Sequence, residues 1–493
     1  MSSNKKAFRQ LFFMLFLTFA TQAVTLIKLS VTAKNFGATV EMDAFNFSNS
    51  IGTFLFSFIS TGITTVLIPA IVQKKNQRSM NNFITILYSV SITVILFVVL
   101  FRENIVSTFA SESESSVNFV KIACSLMLIT LVSQFFNTII GVANAVFQCS
   151  GKYNVPKVLT FFTTTLLALL VYVKSELSIY EYAFYILITS LLNMIMHFFL
   201  TYKERFIYKP VIDLKDPELP SMIKIFIPTM FSSGLYQLTL LIGSLISSTL
   251  GQGQISMLGY SNNIMAMINM LLTNNLMMYI YPKIAADVDE KDGQEKLFGY
   301  FSFFSAIMSL MVVGFIVVGK EAIRILYEGG EFTSSVTSVV FLCTVVYTIG
   351  LPINIMREIV YRYFYAKGDT KITFYNSITS SIFNLIASLV FSRFIGIYGI
   401  ALATILTSAF SLTNILIKFK KKYSIKFNKK SVIVENLKVL LATIITIIIV
   451  IFIKDKIIIN NDIVTICIFG LISIILYVIL LFLLRSKVYK VKL

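Results

Sequence analysis

The feature that most constrains this chain is the recurrence, from one end to the other, of apolar stretches long enough to cross a bilayer. A hydrocarbon core of about 30 Å takes roughly 20 residues of helix, and lipid offers no partner to an open backbone N–H or C=O. Such stretches must therefore be helical. The spans fall at 8–33, 45–72, 83–101, 118–148, 155–173, 179–202, 221–250, 255–282, 297–318, 335–360, 372–392, 395–417, 435–453 and 463–484, which fills the 493 residues and leaves no soluble domain. A chain that is 56% hydrophobic with a mean hydropathy of +0.82 agrees, because a solvated surface could not carry that composition. The expected fold is an all-α polytopic membrane protein with about 14 transmembrane helices. Lys5, Lys6 and Arg9 before the first apolar run imitate a signal peptide, yet the run is long and lacks a small-x-small cleavage site, so it is read as helix one.

An even number of crossings puts both termini on one side, and the bias of Lys and Arg says which. Most of the 42 basic residues lie in the N-terminal tail, the even-to-odd connections and the C-terminal tail. Examples are Lys74, Lys75 and Arg78, the run from Lys418 to Lys430, and Arg485, Lys487, Lys490 and Lys492. The opposite loops are short or acid-tinged, as at 111–116. Both termini are thus expected in the cytoplasm. The net charge of +18 belongs to this topology and to anionic headgroups, not to nucleic acid, which is not expected as a partner. Cys124, Cys149, Cys343 and Cys467 have neither metal nor disulfide spacing and read as small apolar fillers.

Comparing the two halves of the chain exposes a long repeat. Val66-Leu67-Ile68-Pro69 matches Met278-Tyr279-Ile280-Tyr281-Pro282 at an offset of 213, and Phe147-Gln148-Cys149-Ser150-Gly151-Lys152 matches Phe364-Tyr365-Ala366-Lys367-Gly368-Asp369 at 217. Met42-Asp43-Ala44-Phe45 against Met257-Leu258-Gly259-Tyr260 falls between, at 215. Six helices per copy is an even number, so the copies keep one orientation and relate by an axis along the membrane normal. The expected organisation is an N-lobe at 1–202 (helices 1–6), a cytoplasmic linker at 203–220 with Pro210 and Pro220, a C-lobe at 221–417 (helices 7–12), and a basic loop with the last helix pair at 418–493. Two similar bundles rocking about a central cavity are a design for alternating access.

Ionisable and amide groups at membrane depth cost free energy and call for a purpose. Lys28, among Thr21, Gln22, Thr25 and Ser30, is either a cavity-facing cation for a phosphate or a side chain snorkelling to the outer interface, and the sequence leaves both open. Asp43, Asn46, Ser48, Asn49 and Ser50 open helix two, and Ser261, Asn262, Asn263, Asn269, Asn274 and Asn275 mark helix eight. Amides at helical spacing make a polar stripe, which suits a hydrated cavity or interhelical hydrogen bonds, the cavity being favoured because both copies carry one. Asp43, Asn46, Asn49, Asn262, Asn263 and Asn269 join Lys28 as candidate substrate-binding residues. Arg357, Arg362 and Asp369 are candidates for a cytoplasmic gate or entrance. His197, alone of its kind, fits a structural or interfacial role better than a proton relay. Asp287-Val288-Asp289 has the form of a metal–nucleotide motif, but it lies in an acidic loop with no domain to hold a nucleotide. No Walker loop, dinucleotide fingerprint, metal-ligand set or nucleophile elbow is present. Neither enzymatic activity nor a cofactor is expected.

Several segments then resemble a family. Asn35-Phe36-Gly37-Ala38 followed by Met42-Asp43-Ala44-Phe45, Gly62 and Pro69 is similar to the opening of the MurJ-type lipid II flippases of the multidrug/oligosaccharidyl-lipid/polysaccharide exporter superfamily. Gly141-Val142 through Ala145, Gln148, Gly151 and Pro156 resembles the exit from helix four, and Leu326-Tyr327-Glu328-Gly329-Gly330-Glu331-Phe332-Thr333 the outer loop before helix ten. The stretches Arg362–Thr370 and Ile395–Thr404 resemble two later signatures, so the likeness runs over about residues 20–410. The resemblance implies a two-lobed flippase with a cationic cavity for a diphosphate-sugar headgroup, and a groove lined by helices thirteen and fourteen for the polyprenyl tail. It also implies a lipid-linked oligosaccharide as substrate, membrane lipids as surroundings and cell-envelope synthesis enzymes as partners. Lys28 matches a family arginine and Asp43 its acidic position. Gln22 stands at another family arginine position, Asn262-Asn263 replaces an Asp-Arg pair, apolar residues near Leu55 and Phe56 replace a double arginine, and helices seven and eleven lack the carboxylates of the family's cation site. Lipid II is the leading cargo. Flipping a capsule, exopolysaccharide or teichoic-acid repeat unit, and multidrug cation antiport, are the other readings.

Overall fold

The computed structural model describes residues 2–72, 76–109, 114–174, 176–204, 206–423, 428–457 and 459–488. Lys74, Lys75, Lys490, Lys492, residues 111–113 of the 111–116 loop and part of the Lys418–Lys430 run lie outside these residues, as do the side chains of Asn274 and Asn275. The chain folds into α1 (Ser2–Phe36), α2 (Val40–Val72), α3 (Gln77–Leu100), α4 (Arg102–Phe109), α5 (Glu114–Cys149), α6 (Asn154–Val173), α7 (Ile179–Lys203), α8 (Leu219–Ser248) and α9 (Gln254–Ile268). A π-helical turn at Asn269–Thr273 leads without a break into α10 (Asn274–Asp287). Then follow α11 (Gly293–Tyr327), α12 (Ser334–Ile349), α13 (Leu351–Ala366), α14 (Thr370–Ile395), α15 (Ile397–Tyr423), α16 (Lys429–Lys456) and α17 (Asp462–Leu483). The protein is all-α and multi-pass: among the described residues, 11 helical stretches are long and apolar enough to cross a membrane, α12 and α13 counting as one. The remaining expected spans, 45–72, 221–250 and 255–282, fall on α2, α8 and the α9–α10 run.

Packing divides the chain into two compact units, Met1–Ser256 with Gly329–Phe332, and Met257–Glu328 with Thr333–Leu493. The first therefore takes in α8 and the opening turn of α9, so the boundary of packing lies downstream of residues 203–220, where the sequence places the expected linker. In this unit α2 is the central helix and packs on α5 and α8. Its core is aromatic and aliphatic, with Phe47, Phe56, Ile63 and Leu67 of α2 against Phe83 of α3 and Met127 and Leu131 of α5. In the second unit α11 is central and packs on α12, α13, α16 and α17. The C-terminal pair is tied to it by Tyr477 Oη–H donating to the Ala306 carbonyl at 3.0 Å, and by Asn436 Nδ2–H donating to Ser302 Oγ at 3.0 Å.

The repeat read from sequence reappears as duplicated interactions, each inside its own unit. After α5, Gly151 in a left-handed conformation lets Lys152 N–H reach Phe147 O at 2.9 Å, and after α13, Gly368 lets Asp369 N–H reach Phe364 O at 2.8 Å. Both are glycine-dependent C-caps that satisfy orphan carbonyls. Ser48 Oγ–H donates to Ala123 O at 3.0 Å, and Ser261 Oγ–H to Val340 O at 3.2 Å. Phe47 meets Phe109 with ring centroids 6.5 Å apart, and Tyr260 meets Tyr327 at 5.6 Å. Pro69 and Pro282 each stand inside a helix.

The proline-bearing linker does not hang free. Asn82 Nδ2–H donates to Asp213 O at 2.6 Å and to Asp216 Oδ2 at 3.2 Å, while Asp213 N–H returns a bond to Asn82 Oδ1 at 2.9 Å. Ser79 donates to Asp216 Oδ1 at 3.0 Å, Gln77 to Ile207 O at 3.0 Å, and Val211 N–H to Thr85 Oγ1 at 3.2 Å. Burial opposes charge on Asp216, but bonds from the Glu218 N–H, Asn82 and Ser79 outweigh it and hold the carboxyl below its usual range. Asp216→Ala should cost about 1–3 kcal/mol, the usual penalty for stranding buried donors. It should also speed tryptic cleavage at Lys215 and chymotryptic cleavage at Tyr208, which limited proteolysis of the purified protein measures.

Candidate functional site

The candidate polar residues of the first unit lie on α1 and α2, with α1 packed on α6 and α2 on α5. On α1, Thr21, Thr25, Lys28 and Thr32 recur at spacings of three and four, so they share one face. Thr21, Thr25 and Thr32 return their hydroxyls to carbonyls one turn back, the last to Lys28 O at 2.8 Å. The exposed apolar side chains Phe16, Phe19 and Ile27 lie on a different face. Lys28 is half-buried within the polar stripe and has no carboxylate partner among the described residues. On α2, Asn49 Oδ1 accepts from Gln134 Nε2 at 3.4 Å, and the same amide donates to Thr53 Oγ1 at 3.2 Å. Asn137 adds a bond to Gln134 Oε1 at 3.2 Å, and Ser50 pairs with Ser244 at 3.0 Å. Gln134 and Thr53 carry no charge and escape attention in an apolar span; the spacing of Gln134 and Asn137 on one face of α5 is the signal that marks them.

Asp43 is buried and fully engaged. Its carboxylate accepts the Gly253 N–H at 2.5 Å, the Ser256 N–H at 2.7 Å and the Ser256 hydroxyl at 2.6 Å, and Asn46 Nδ2–H reaches the same hydroxyl at 3.4 Å. A helix leaves its first N–H groups without intrahelical partners, so Asp43 caps α9 from another helix. Beside it, two glycine-bearing segments that look unrelated in sequence meet. Glu331 N–H donates to Lys34 O at 2.9 Å, and both Gly37 and Gly330 are left-handed. A Cβ on Gly37 would lie 2.1 Å from Glu331 O, and one on Gly330 2.2 Å from Lys34 O. Only glycine fits either place.

In the second unit, Asn269 Oδ1 accepts from Thr273 Oγ1 at 3.1 Å across the π turn, whereas Asn262 is half-buried and Asn263 exposed. Arg357 and Arg362 are brought together by a carboxylate the sequence reading passed over, Glu358, at 3.2 and 3.6 Å. An acid in an apolar helix was signal enough to find it. Arg357 also lies over the Tyr361 ring at 5.6 Å, and Arg362 over Tyr281 at 5.7 Å and Tyr365 at 5.5 Å. Asp369 does not join this cluster. It pairs with Lys422 and Tyr423, which hold its carboxyl below the usual range and tie the start of α14 to the end of α15.

The Asp-x-Asp segment is occupied by ion pairs: Asp287 meets Lys296 at 3.1 Å, and Asp289 meets Lys367. No cluster suited to a metal ion occurs among the described residues. His197 is buried in the first unit, its Nδ1 against Asn193 O at 2.9 Å and its ring edge-on to Phe147 at 6.1 Å.

Comparison with known proteins agrees with this architecture. The family model described as lipid II flippase MurJ matches residues 32–473. A probable lipid II flippase MurJ of Aquifex aeolicus is 24% identical over 421 residues, covering 81% of each chain. That of Rickettsia prowazekii is 24% identical over 422 residues, covering 82% of each. Among solved structures, a lipid II flippase MurJ in an inward closed conformation superposes with a TM-score of 0.80 at 22% identity, covering 95% of this chain and 97% of that one. An inward-facing multidrug resistance MATE family transporter of the MOP superfamily gives 0.61 at 13% identity, covering 81% and 94%.

Asp43→Ala would strand several donors at the start of α9 and should cost about 1–3 kcal/mol, more than Ser256→Ala, which removes one hydroxyl. A thiol-reactive dye reporting exposure of the buried Cys124 and Cys343 on heating measures both. Gly330→Ala should lower the midpoint as well, because its Cβ has nowhere to go.

Proposed function

The chain belongs to the lipid II flippase MurJ family, and we propose that it carries lipid II, an undecaprenyl-diphosphate-linked cell-wall precursor, across the bacterial plasma membrane. Transport runs from the cytoplasmic to the outer leaflet by alternating access, with both termini in the cytoplasm. The observation that carries the reading is Lys28, a half-buried cation without a carboxylate partner among the described residues, set in a hydroxyl-lined stripe of α1. A diphosphate is the ligand such a group suits, since charge-assisted hydrogen bonds are roughly twice as strong as neutral ones. The amides of Asn46, Asn49, Asn262, Asn263 and Asn269 supply neutral donors and acceptors for a glycan. Arg357 and Arg362, held by Glu358, are the gate residues of this reading. Asp43 serves it indirectly, by fixing the start of α9.

The site residues do not favour cation antiport, which needs a carboxylate free to exchange ions: Asp43 is saturated by three donors and Glu358 faces two arginines. They offer no nucleophile–base pair for catalysis either. A second reading within the same transport class is favoured by the neutral pair Asn262-Asn263. With Lys28 in place of an arginine cluster, a capsule, exopolysaccharide or teichoic-acid repeat unit on the same lipid diphosphate fits as cargo.

Expression in a strain depleted of its own lipid II flippase separates the two. Rescue is expected, retained by Lys28→Arg and reduced at least tenfold in plated survival by Lys28→Ala. Failure of a membrane-inserted, well-expressed chain to rescue would move the cargo to a different repeat unit.

A further inference from the structure

The first unit contains a cavity that the transport reading does not use. It has a volume of about 350 Å3 and is walled by Tyr88 of α3, Val142 and Ala143 of α5, and Met194 and Phe198 of α7, with Tyr208 of the linker as its roof. Its size falls within the roughly 300–1,000 Å3 of ligand sites. The lining is almost wholly apolar. The Tyr208 hydroxyl is spent on Thr85 at 3.0 Å, and the nearby Thr201 hydroxyl on the Phe198 carbonyl at 2.7 Å. Water needs two to four polar partners to settle in such a space, and they are not offered here. An apolar void of this size left unfilled is destabilising, so an apolar occupant is favoured.

One wall decides where that occupant comes from. Phe198 lines the cavity and is also 55% exposed, beside Ile195, Phe199 and Tyr202 on the lipid-facing side of α7. Phe198 thus belongs both to the cavity wall and to the lipid-facing surface. From Met194 to Thr201 the cavity runs along about 10 Å of helix, at ~1.5 Å per residue, and stops two residues short of the basic end of α7. There Lys152 takes the carboxylate of Glu204, while the exposed Lys203 and, in the linker, Lys209 have no carboxylate partner among the described residues.

We propose that this cavity holds one acyl chain of an anionic phospholipid from the cytoplasmic leaflet, entering past Phe198, with Lys203 and Lys209 meeting the headgroup. The leaflet rests on the topology proposed above, the cavity on its own geometry. Because Tyr208 both roofs the cavity and bonds to Thr85 on α3, an occupied cavity steadies the linker.

The test uses the full chain in liposomes containing a phosphatidylglycerol analogue with a photoactivatable diazirine on its acyl chain. Crosslinks should concentrate in peptides spanning 139–143 and 194–201. They should fall at least fivefold in Ala143→Phe, which fills the cavity from α5, and equally in Met194→Phe, which fills it from α7, so a folding defect in one variant leaves the other to decide. Lys203→Gln with Lys209→Gln should lower labelling about threefold. Labelling spread evenly over the apolar exterior, or unchanged in a folded filled variant, would overturn the site. Equal labelling by a phosphatidylcholine analogue would overturn the headgroup assignment, and displacement by undecaprenyl phosphate but not by excess phosphatidylglycerol would overturn the occupant. Complementation by the Lys28 series reads the cargo separately, so the two proposals fail independently.

Discussion

A polar group that enters hydrocarbon must bring its partner with it, and the rest of this structure follows from that constraint. It makes every span helical and turns serine and threonine hydroxyls back onto carbonyls three or four residues earlier, as at Thr32, Ser48 and Thr344. Helix ends are closed with equal care: Ser178 and Glu181 form a reciprocal cap on α7, and Asn461 accepts two N–H groups at the start of α17. Where no local residue can serve, a distant one does. Asp43 caps α9 across more than 200 positions of sequence.

The same constraint explains what could be read from the sequence. Helices were legible because lipid removes the alternatives, and the repeat was legible because Gly151 and Gly368 answer the same backbone need. Family motifs in several short stretches pointed to the lipid II flippase MurJ family because their order is harder to reach by chance than any one of them. Partnerships were not legible. The exception is Glu358, which gathers Arg357 and Arg362 within α13, the second at i,i+4 spacing; nothing local says that Asp369 turns to Lys422 and Tyr423, since that choice depends on which helix packs alongside. Nor does the linker announce its strap: Asn82 and Ser79 look like ordinary polar residues at the start of a helix until Asp213 and Asp216 fold onto them.

The candidate residues thereby separate by physical role. Asp43 and Asp369 are saturated by neighbours and act on the architecture. Lys28 and the amides keep capacity to spare and can act on a ligand. Ionisability at membrane depth alone would have grouped Asp43 with Lys28, although one fixes a helix terminus and the other offers an unspent charge.

The π turn at Asn269–Thr273 gives the duplication a further property. Ser48 and Pro69 are as many residues apart as Ser261 and Pro282, but the second interval contains a turn closed by i→i+5 bonds in place of i→i+4. One widened turn absorbs about one extra residue, equivalent to roughly 100° of α-helical rotation. The two copies have thus kept their length and lost their phase. Beyond the turn, the side chains of α10 are rotated about the helix axis relative to those of the matching part of α2, so equal spacing in sequence no longer means an equal face.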